Sequence, residues 1–164
     1  MTTERLEPRG ALTVRLTDRD HRIVSERRYR NRIVKSGRLM VAQMFAGGTA
    51  GPTPAQIGFI GVGTDGTAPV DTQTALIAQR GARAAISERR YEDFADGTGG
   101  TAIARVRVIL SAVFDFGEAN GAAPLREAGS FNATTAGVMY NRVIFEPVTK
   151  TDAFKLTLLW DVEF

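Results

Sequence analysis

The segment that most resembles a known ligand-binding motif is glycine-rich. It is Gly61-Val-Gly-Thr-Asp-Gly66, which matches the dinucleotide-binding pattern G-x-G-x-x-G. That pattern binds a pyrophosphate only when a helix opens at its third glycine and directs backbone amides at the ligand. Here Pro69 keeps the preceding residue out of the helical region, so a helical turn is predicted no earlier than Asp71, as its N-cap. We therefore interpret Gly61–Gly66 as a glycine turn with positive φ angles, and we predict neither a nucleotide site nor any other cofactor.

A basic stretch from Arg27 to Arg38 is the second candidate site. Its six cations are Arg27, Arg28, Arg30, Arg32, Lys35 and Arg38. Guanidinium groups bind carboxylates and phosphates through paired hydrogen bonds, so the stretch resembles a nucleic-acid patch. On a strand, however, Arg28, Arg30 and Arg32 share one face, which also suits contact with an acidic surface of a neighbouring subunit. We favour the second interpretation and predict that these six cations form a protein interface.

The other residue types that support catalysis are sparse or scattered. The chain has no cysteine, which excludes disulfides, thiolate metal sites and cysteine nucleophiles. The single histidine, His21, lies between two strand-like runs and is expected in an exposed turn. The acids Asp93, Asp96, Asp115 and Glu118 lie near turns, and nothing in the sequence brings two of them together. We predict no catalytic residues, no metal site and no enzymatic activity.

The elements that must position these residues are mostly strands. Apolar residues occupy alternate positions in residues 102–116 and again in 154–164, which is the pattern of a strand with one buried face. Similar but shorter patterns predict a hairpin of residues 12–17 and 22–34, a strand at 57–62, and two strands at 125–132 and 138–145. One helix is predicted from Ser36, as its N-cap, to Phe45, because Gly47 and Gly48 follow.

These elements predict a mostly β fold, an antiparallel two-sheet β-sandwich with one short packed helix and an extended N-terminal arm. The arm comprises residues 1–11, and residues 12–164 form a single domain. Residues 1–50 carry eleven cations against five acids, a net +6, whereas residues 51–164 carry ten against thirteen, a net −3. This asymmetry suits stacking of identical subunits or contact with a negative surface. No apolar run is long enough for a membrane helix, so no membrane contact is expected.

Several short motifs follow one another along the chain, and their order resembles that of a known family. They are Asn31-Arg-Ile-Val-Lys-Ser-Gly37-Arg-Leu-Met40, Ile60-Gly-Val-Gly-Thr-Asp-Gly-Thr-Ala-Pro69, Asp71-Thr72 with Leu76, Leu125-Arg-Glu-Ala-Gly-Ser-Phe-Asn132, Met139-Tyr-Asn-Arg-Val-Ile-Phe145 and Val148-Thr-Lys-Thr151. In this order, over roughly residues 12–164, the chain resembles a family of tailed-phage virion proteins, usually described as tail, tail-fibre or baseplate-associated components. The resemblance implies a multimeric structural protein of the virion, assembled in the host cytoplasm.

The expected function is therefore a non-enzymatic structural subunit of the tail, neck or baseplate of a tailed phage. Its expected partners are further copies of itself and other virion proteins, with no small-molecule substrate. Two alternatives stay open. One is a capsid decoration protein, in which the arm and the basic hairpin bind the capsid shell. The other is a module that binds glycan or nucleic acid, although Trp160 shares an apolar face with Phe154 and Phe164 and is predicted to belong to the core rather than to a glycan site.

Overall fold

A computed structural model of the chain describes residues 8–47, 55–97 and 99–164. Its strands and its single α-helix follow one another as β1 (Arg9–Thr17), β2 (Ile23–Arg30), β3 (Arg32–Ile33), α1 (Lys35–Ala46), β4 (Phe59–Gly63), β5 (Ala84–Asp96), β6 (Ile103–Phe114), β7 (Leu125–Phe131), β8 (Met139–Val148) and β9 (Lys155–Glu163). One short 3₁₀ turn, Gly99–Thr101, joins β5 to β6.

The strands form one antiparallel sheet that nearly closes into a barrel. Their order is β2-β1-β9-β6-β5-β4-β7-β8-β3. The two strands at the ends of this order, β2 and β3, are consecutive in the chain and separated only by Asn31. The side chains of Tyr29 on β2 and Phe145 on β8 meet across the gap, with ring centroids 6.0 Å apart. The prediction of a mostly β, antiparallel fold with one helix is confirmed, whereas two separate sheets are not.

The core lies inside this curved sheet, and period-two alternation determines which residues enter it. On β9, Leu156, Leu158 and Trp160 have no exposed surface, and on β6 Phe114 is almost completely buried. These side chains come from even-numbered positions, as the sequence pattern predicts, because successive residues of a strand point to opposite faces. The even-numbered face of β6 is buried only in its second half, since Val106 is 43% exposed.

Ser36 is not the N-cap that the sequence predicts for α1, because the helix begins one residue earlier, at Lys35. The residue before it, Val34, makes no side-chain capping bond. The Ser36 hydroxyl instead donates to the Met139 carbonyl oxygen at 2.7 Å, and the first helical amide, of Lys35, donates to the Asp71 carbonyl oxygen. A tertiary contact thus satisfies one of the four N-terminal amides that have no partner within the helix.

Several other predicted boundaries differ from the structure. Strand β1 begins at Arg9, so residues 9–11 of the predicted arm belong to the sheet, while residues 1–7 lie outside the described part of the chain. Residues 71–79 do not form the predicted helical turn; Asp71 pairs with arginines instead, as described below.

Strand β5 is absent from the sequence predictions. From Ser87 onwards β5 pairs only with β6, so that the end of the β5–β6 hairpin extends past the neighbouring strands.

Candidate functional site

Four of the six predicted interface cations lie together on the outer face of the barrel. Antiparallel pairing places Arg28 opposite Thr13 and Tyr29 opposite Leu12, which is completely buried. Because neighbouring residues of a strand point to opposite faces, Arg28 and Arg30 are directed outwards. Arg32 follows on β3 after a single residue, and Arg38 is exposed on the first turns of α1.

These arginines line an open groove of about 1070 Å³. Its charged lining consists of five arginines and two acids, namely Arg9, Arg28, Arg30, Arg32, Arg38, Asp161 and Glu163. Strand β9 supplies the two acids, because Asp161 lies opposite Ala11 and Glu163 lies opposite Arg9 on β1. The groove therefore forms where the start of β1, the end of β2 and the end of β9 meet, and its lining has an excess of positive charge.

The acids around the groove neutralise only part of this charge. Arg28 forms an ion pair with the almost buried carboxylate of Asp161. Arg107 donates to Glu163 at 2.9 Å, which draws that carboxylate towards β6. Among the described residues, Arg30 makes no ion pair at all, so its guanidinium group is directed at the groove without a countercharge.

Asp71 organises the opposite wall of the groove. Its carboxylate accepts a hydrogen bond from Arg32 Nε at 2.8 Å and lies 3.8 Å from Arg38 Nη1. The hydrogen bond from Arg32 holds the pKa of Asp71 below its usual value, and the same contact raises the pKa of Arg32. Since the Asp71 carbonyl oxygen also accepts from Lys35, this residue fixes β3, the start of α1 and both arginines relative to one another.

The remaining two predicted cations lie elsewhere. Arg27 points to the other side of β2 and lines a small cleft with Tyr29 and Glu146. Lys35 begins α1 and does not line the groove. Sequence reasoning missed Arg9, Asp161 and Glu163, because only the pairing of β1 with β9 brings them next to β2.

The glycine-rich segment is built for close packing rather than for a turn. Gly61 and Gly63 belong to β4, and none of the three motif glycines has a positive φ angle, so that prediction is wrong. A Cβ atom on Gly63 would lie 2.4 Å from both the Ala78 carbonyl oxygen and Glu127 Oε1. The second glycine is therefore required because the backbone of residue 78 and a buried carboxylate approach β4 closely.

That carboxylate belongs to a buried ion pair. Glu127 on β7 and Arg142 on β8 have no exposed surface, and their side chains meet at 2.8 Å. Glu127 also accepts from the amides of Ile77 and Ala78. Arg142 donates to the Thr67 carbonyl oxygen at 2.8 Å. The pair thus holds residues 67–78 to the sheet.

Further groups fix the segment that follows the glycines. Arg142 Nη2 lies 3.4 Å from Asp65, whose carboxylate also accepts from the Thr67 amide at 2.7 Å. The hydrogen bond from Thr67 lowers the pKa of Asp65. The charged groups at the end of the glycine motif are therefore engaged by the chain's own side chains and amides.

The other candidate residues have local structural contacts. His21 is exposed in the β1–β2 turn, as predicted, with φ 62°. The Asp115 carboxylate accepts from the Phe116 amide, which holds its pKa below the usual value, and Glu118 accepts from the Asp115 amide. In the described ranges, no three His, Cys, Asp or Glu residues are grouped as metal ligands would be. No described helix is long and apolar enough to cross a membrane.

Comparisons with known proteins add no relative to this description. No protein-family model, no curated protein and no solved structure matches the chain. The interpretation of the groove therefore depends on its own geometry. Four of the five arginines that line the groove form an ion pair with a described residue, and Arg30 does not. An exposed guanidinium group of this kind binds a carboxylate or a phosphate through charge-assisted, often paired, hydrogen bonds.

Proposed function

We propose that this chain is a non-enzymatic structural subunit of a tailed-phage particle, in its tail, neck or baseplate, and that the arginine-lined groove binds an acidic surface of a neighbouring subunit. The observation that carries the proposal is the convergence of Arg28, Arg30, Arg32 and Arg38 on one groove. The succession of motifs that resembles phage virion proteins supports the particle as its location.

The chemistry of the groove supports a protein partner. Arg28 already binds the carboxylate of Asp161, so an acidic side chain is a ligand that this surface accepts from its own chain. A neighbour that brings carboxylates would also satisfy the exposed guanidinium group of Arg30, which makes no ion pair with a described residue. Capsid decoration would use the same contact at another place in the particle.

The test is a charge reversal that leaves the internal ion pairs of the sheet intact. Arg28 is unsuitable, because its reversal would place two carboxylates beside each other at Asp161. Arg30→Glu changes one exposed side chain of the groove that makes no ion pair with a described residue, whereas Arg38→Glu would place a second carboxylate beside Asp71. Arg27→Glu is the matched control, because it makes the same change on the same strand but on the opposite face.

Particles are produced from a genome that encodes each variant, and their protein composition is measured by mass spectrometry. We expect the Arg27 control to enter particles normally and the groove variant to be depleted at least about tenfold, because like charges at an interface cost several kcal/mol. Circular dichroism of each isolated variant checks that the fold is kept. Normal entry of the groove variant would contradict the groove as the contact site. Absence of the unaltered chain from purified particles would contradict the phage assignment.

The alternative that the groove binds nucleic acid can be tested with the same variants. Five arginines along an open groove would contact a phosphate backbone, and such binding weakens steeply as salt rises. Retention on a short DNA duplex near 0.15 M salt, lost in the groove variant and kept in the control, would favour nucleic acid over an acidic protein partner.

A further inference from the structure

A second surface of the fold is the exposed edge of β5. Within the described ranges, Ala84 and Ala85 pair with β4, but from Ser87 to Asp96 the strand pairs with β6 alone. The edge that faces away from β6 therefore presents unpaired backbone groups to solvent. An unpaired edge of this length is a template for strand addition unless something blocks it.

The direction of the backbone groups follows from the register. Val106 exchanges both backbone hydrogen bonds with Phe164, and the pairing of β6 with β9 is regular from Arg107 onwards. Even-numbered residues of β6 therefore bond to β9, and odd-numbered residues such as Ile109 bond to β5. Ile109 lies opposite Arg90. The residues of β5 that direct N–H and C=O groups outwards are consequently Arg89, Tyr91, Asp93 and Ala95.

We propose that two copies of this chain pair antiparallel through the outer edges of their β5 strands, with Tyr91 of each copy facing Tyr91 of the other. In this register Arg89 faces Asp93, and Arg90 faces Glu92, on both sides of the two-fold axis. Three facing positions exchange roughly six backbone hydrogen bonds. The inference deepens the proposed function, from which it takes the expectation that copies of the chain assemble, and it uses a different surface.

The charges of β5 select this register over its neighbours. Outward-directed residues must face one another, so the partner strand can shift only by two residues at a time. A shift in one direction places Arg90 opposite Arg90 and Glu88 opposite Glu92. A shift in the other direction places Glu92 opposite Glu92 and Glu88 opposite Asp96. Directly facing like charges are destabilising, whereas the proposed register pairs opposite charges at four positions.

Two of the charges of β5 have no countercharge within one copy. Arg89 and Asp93 are exposed, and neither forms an ion pair with another described residue, although Arg89 Nη2 donates to the Ile57 carbonyl oxygen at 3.3 Å. Arg90 and Glu92 already pair with each other at 2.9 Å, so pairing of two copies would exchange that contact for one between the copies. Tyr91 is 72% exposed and shares the apolar face of the hairpin with Val106, which is 43% exposed. Pairing of two copies would place these faces side by side in one continuous sheet and cover Tyr91 and Val106 of each copy. Charges on an edge usually prevent indiscriminate strand pairing; here their order also permits pairing with an identical strand.

Sedimentation of the full chain measures the association, and complementary charge reversals test the register. The unaltered chain should form dimers by about 100 µM, where a micromolar dissociation constant populates them. Arg89→Asp and Asp93→Arg each place like charges opposite each other twice, and each should weaken the dimer at least about tenfold. A mixture of the two variants restores opposite charges at every facing position, so the mixed dimer should form. Arg22→Asp, in the β1–β2 turn, is the control for net charge and should dimerise normally.

Single cysteines test the geometry, because the chain has none of its own. Facing Cα atoms of a hydrogen-bonded antiparallel pair lie about 5.5 Å apart, inside the range of roughly 4.4–6.8 Å that a disulfide spans. Tyr91→Cys should therefore oxidise to a covalent dimer. Arg90→Cys should not, because an offset of two residues adds roughly 6.8 Å along the strands.

A monomeric chain in sedimentation, or a dimer that both charge reversals leave unchanged, would overturn the proposal. Preferential cross-linking through Arg90→Cys would overturn the register. The groove variant Arg30→Glu should dimerise like the unaltered chain. Dimers without entry into particles would thus contradict the proposed function alone, and entry into particles by a monomer would contradict the β5 pairing alone.

Discussion

Glu127→Gln is the substitution that tests the internal architecture most directly. Both carboxylate oxygens of Glu127 accept hydrogen bonds: Oε1 from the Ala78 amide at 2.7 Å, and Oε2 from the Ile77 amide at 3.2 Å and from Arg142 Nε at 2.8 Å. Glutamine has the same shape but only one acceptor oxygen. In either orientation its NH₂ group therefore faces a donor, and Arg142 loses the buried carboxylate at 2.8 Å and keeps only the partly exposed Asp65, at 3.4 Å, as a countercharge.

The magnitude follows from the burial of both partners. Breaking a buried ion pair by removing one charge costs about 3–5 kcal/mol, because the remaining charge stays out of water without a partner. Neither Glu127 nor Arg142 has exposed surface, so solvent cannot compensate. For a domain of this size, each kcal/mol lowers the melting temperature by about 2–4 °C, which predicts a decrease of roughly 6–20 °C.

Urea and thermal unfolding, followed by circular dichroism, measure the change. Glu146→Gln is the matched control, since Glu146 is exposed and makes no ion pair in the described part of the chain; it should stay within about 0.5 kcal/mol of the unaltered protein. The double variant Glu127→Gln/Arg142→Met should cost less than the sum of its single changes, because the orphaned charge is removed. A decrease below about 1 kcal/mol for Glu127→Gln would refute the reasoning, since it would mean that water reaches the pair.

Two further predictions concern the glycine segment and a buried tyrosine. Gly63→Ala should destabilise the fold by more than about 1 kcal/mol, because its Cβ would clash with Ala78 and Glu127. Gly58→Ala should be tolerated, because its Cβ would meet no described residue within 4 Å; equal unfolding midpoints of the two variants would contradict the close approach at Gly63. Burial raises the pKa of Tyr140 to about 12, so the folded state holds that proton above pH 10, where the unfolded chain releases it. Stability should therefore fall by about 1.4 kcal/mol per pH unit between pH 10 and 12, and Tyr140→Phe should remove that part of the slope in urea titrations at each pH; an unchanged slope would contradict a buried phenol.

The strands that line the core were readable from the sequence, because burial on one face imposes period-two alternation. Residues 154–164 show it without interruption, and the structure places Leu156, Leu158 and Trp160 in the core. Strand β5 was missed for the same physical reason. Most of it extends past the neighbouring strands, so both of its faces are largely exposed, and Glu88, Arg89 and Arg90 follow one another without alternation.

The glycine pattern shows where local reasoning fails. Pro69 correctly argued against a helix after Gly66, and none forms there. The need for Gly63, however, comes from Glu127 and Ala78, which lie 64 and 15 residues further along the chain. A glycine that is needed for a turn can be recognised from the neighbouring residues. A glycine that is needed because distant parts of the chain approach it closely cannot be recognised in this way.

Some features of the groove can likewise be predicted from the sequence, and others depend on the tertiary structure. The common face of Arg28, Arg30 and Arg32 can be predicted from the sequence, because it depends on nothing but the geometry of an extended chain. The positions of Arg9 and Asp161 beside them, and the pairing of Asp71 with Arg32, cannot be predicted in this way, since they arise from the pairing of β1 with β9 and from the contact of residue 71 with α1. Periodicity determines which face a side chain occupies, but the register between distant strands determines which side chains meet, and that register depends on the packing of the whole barrel.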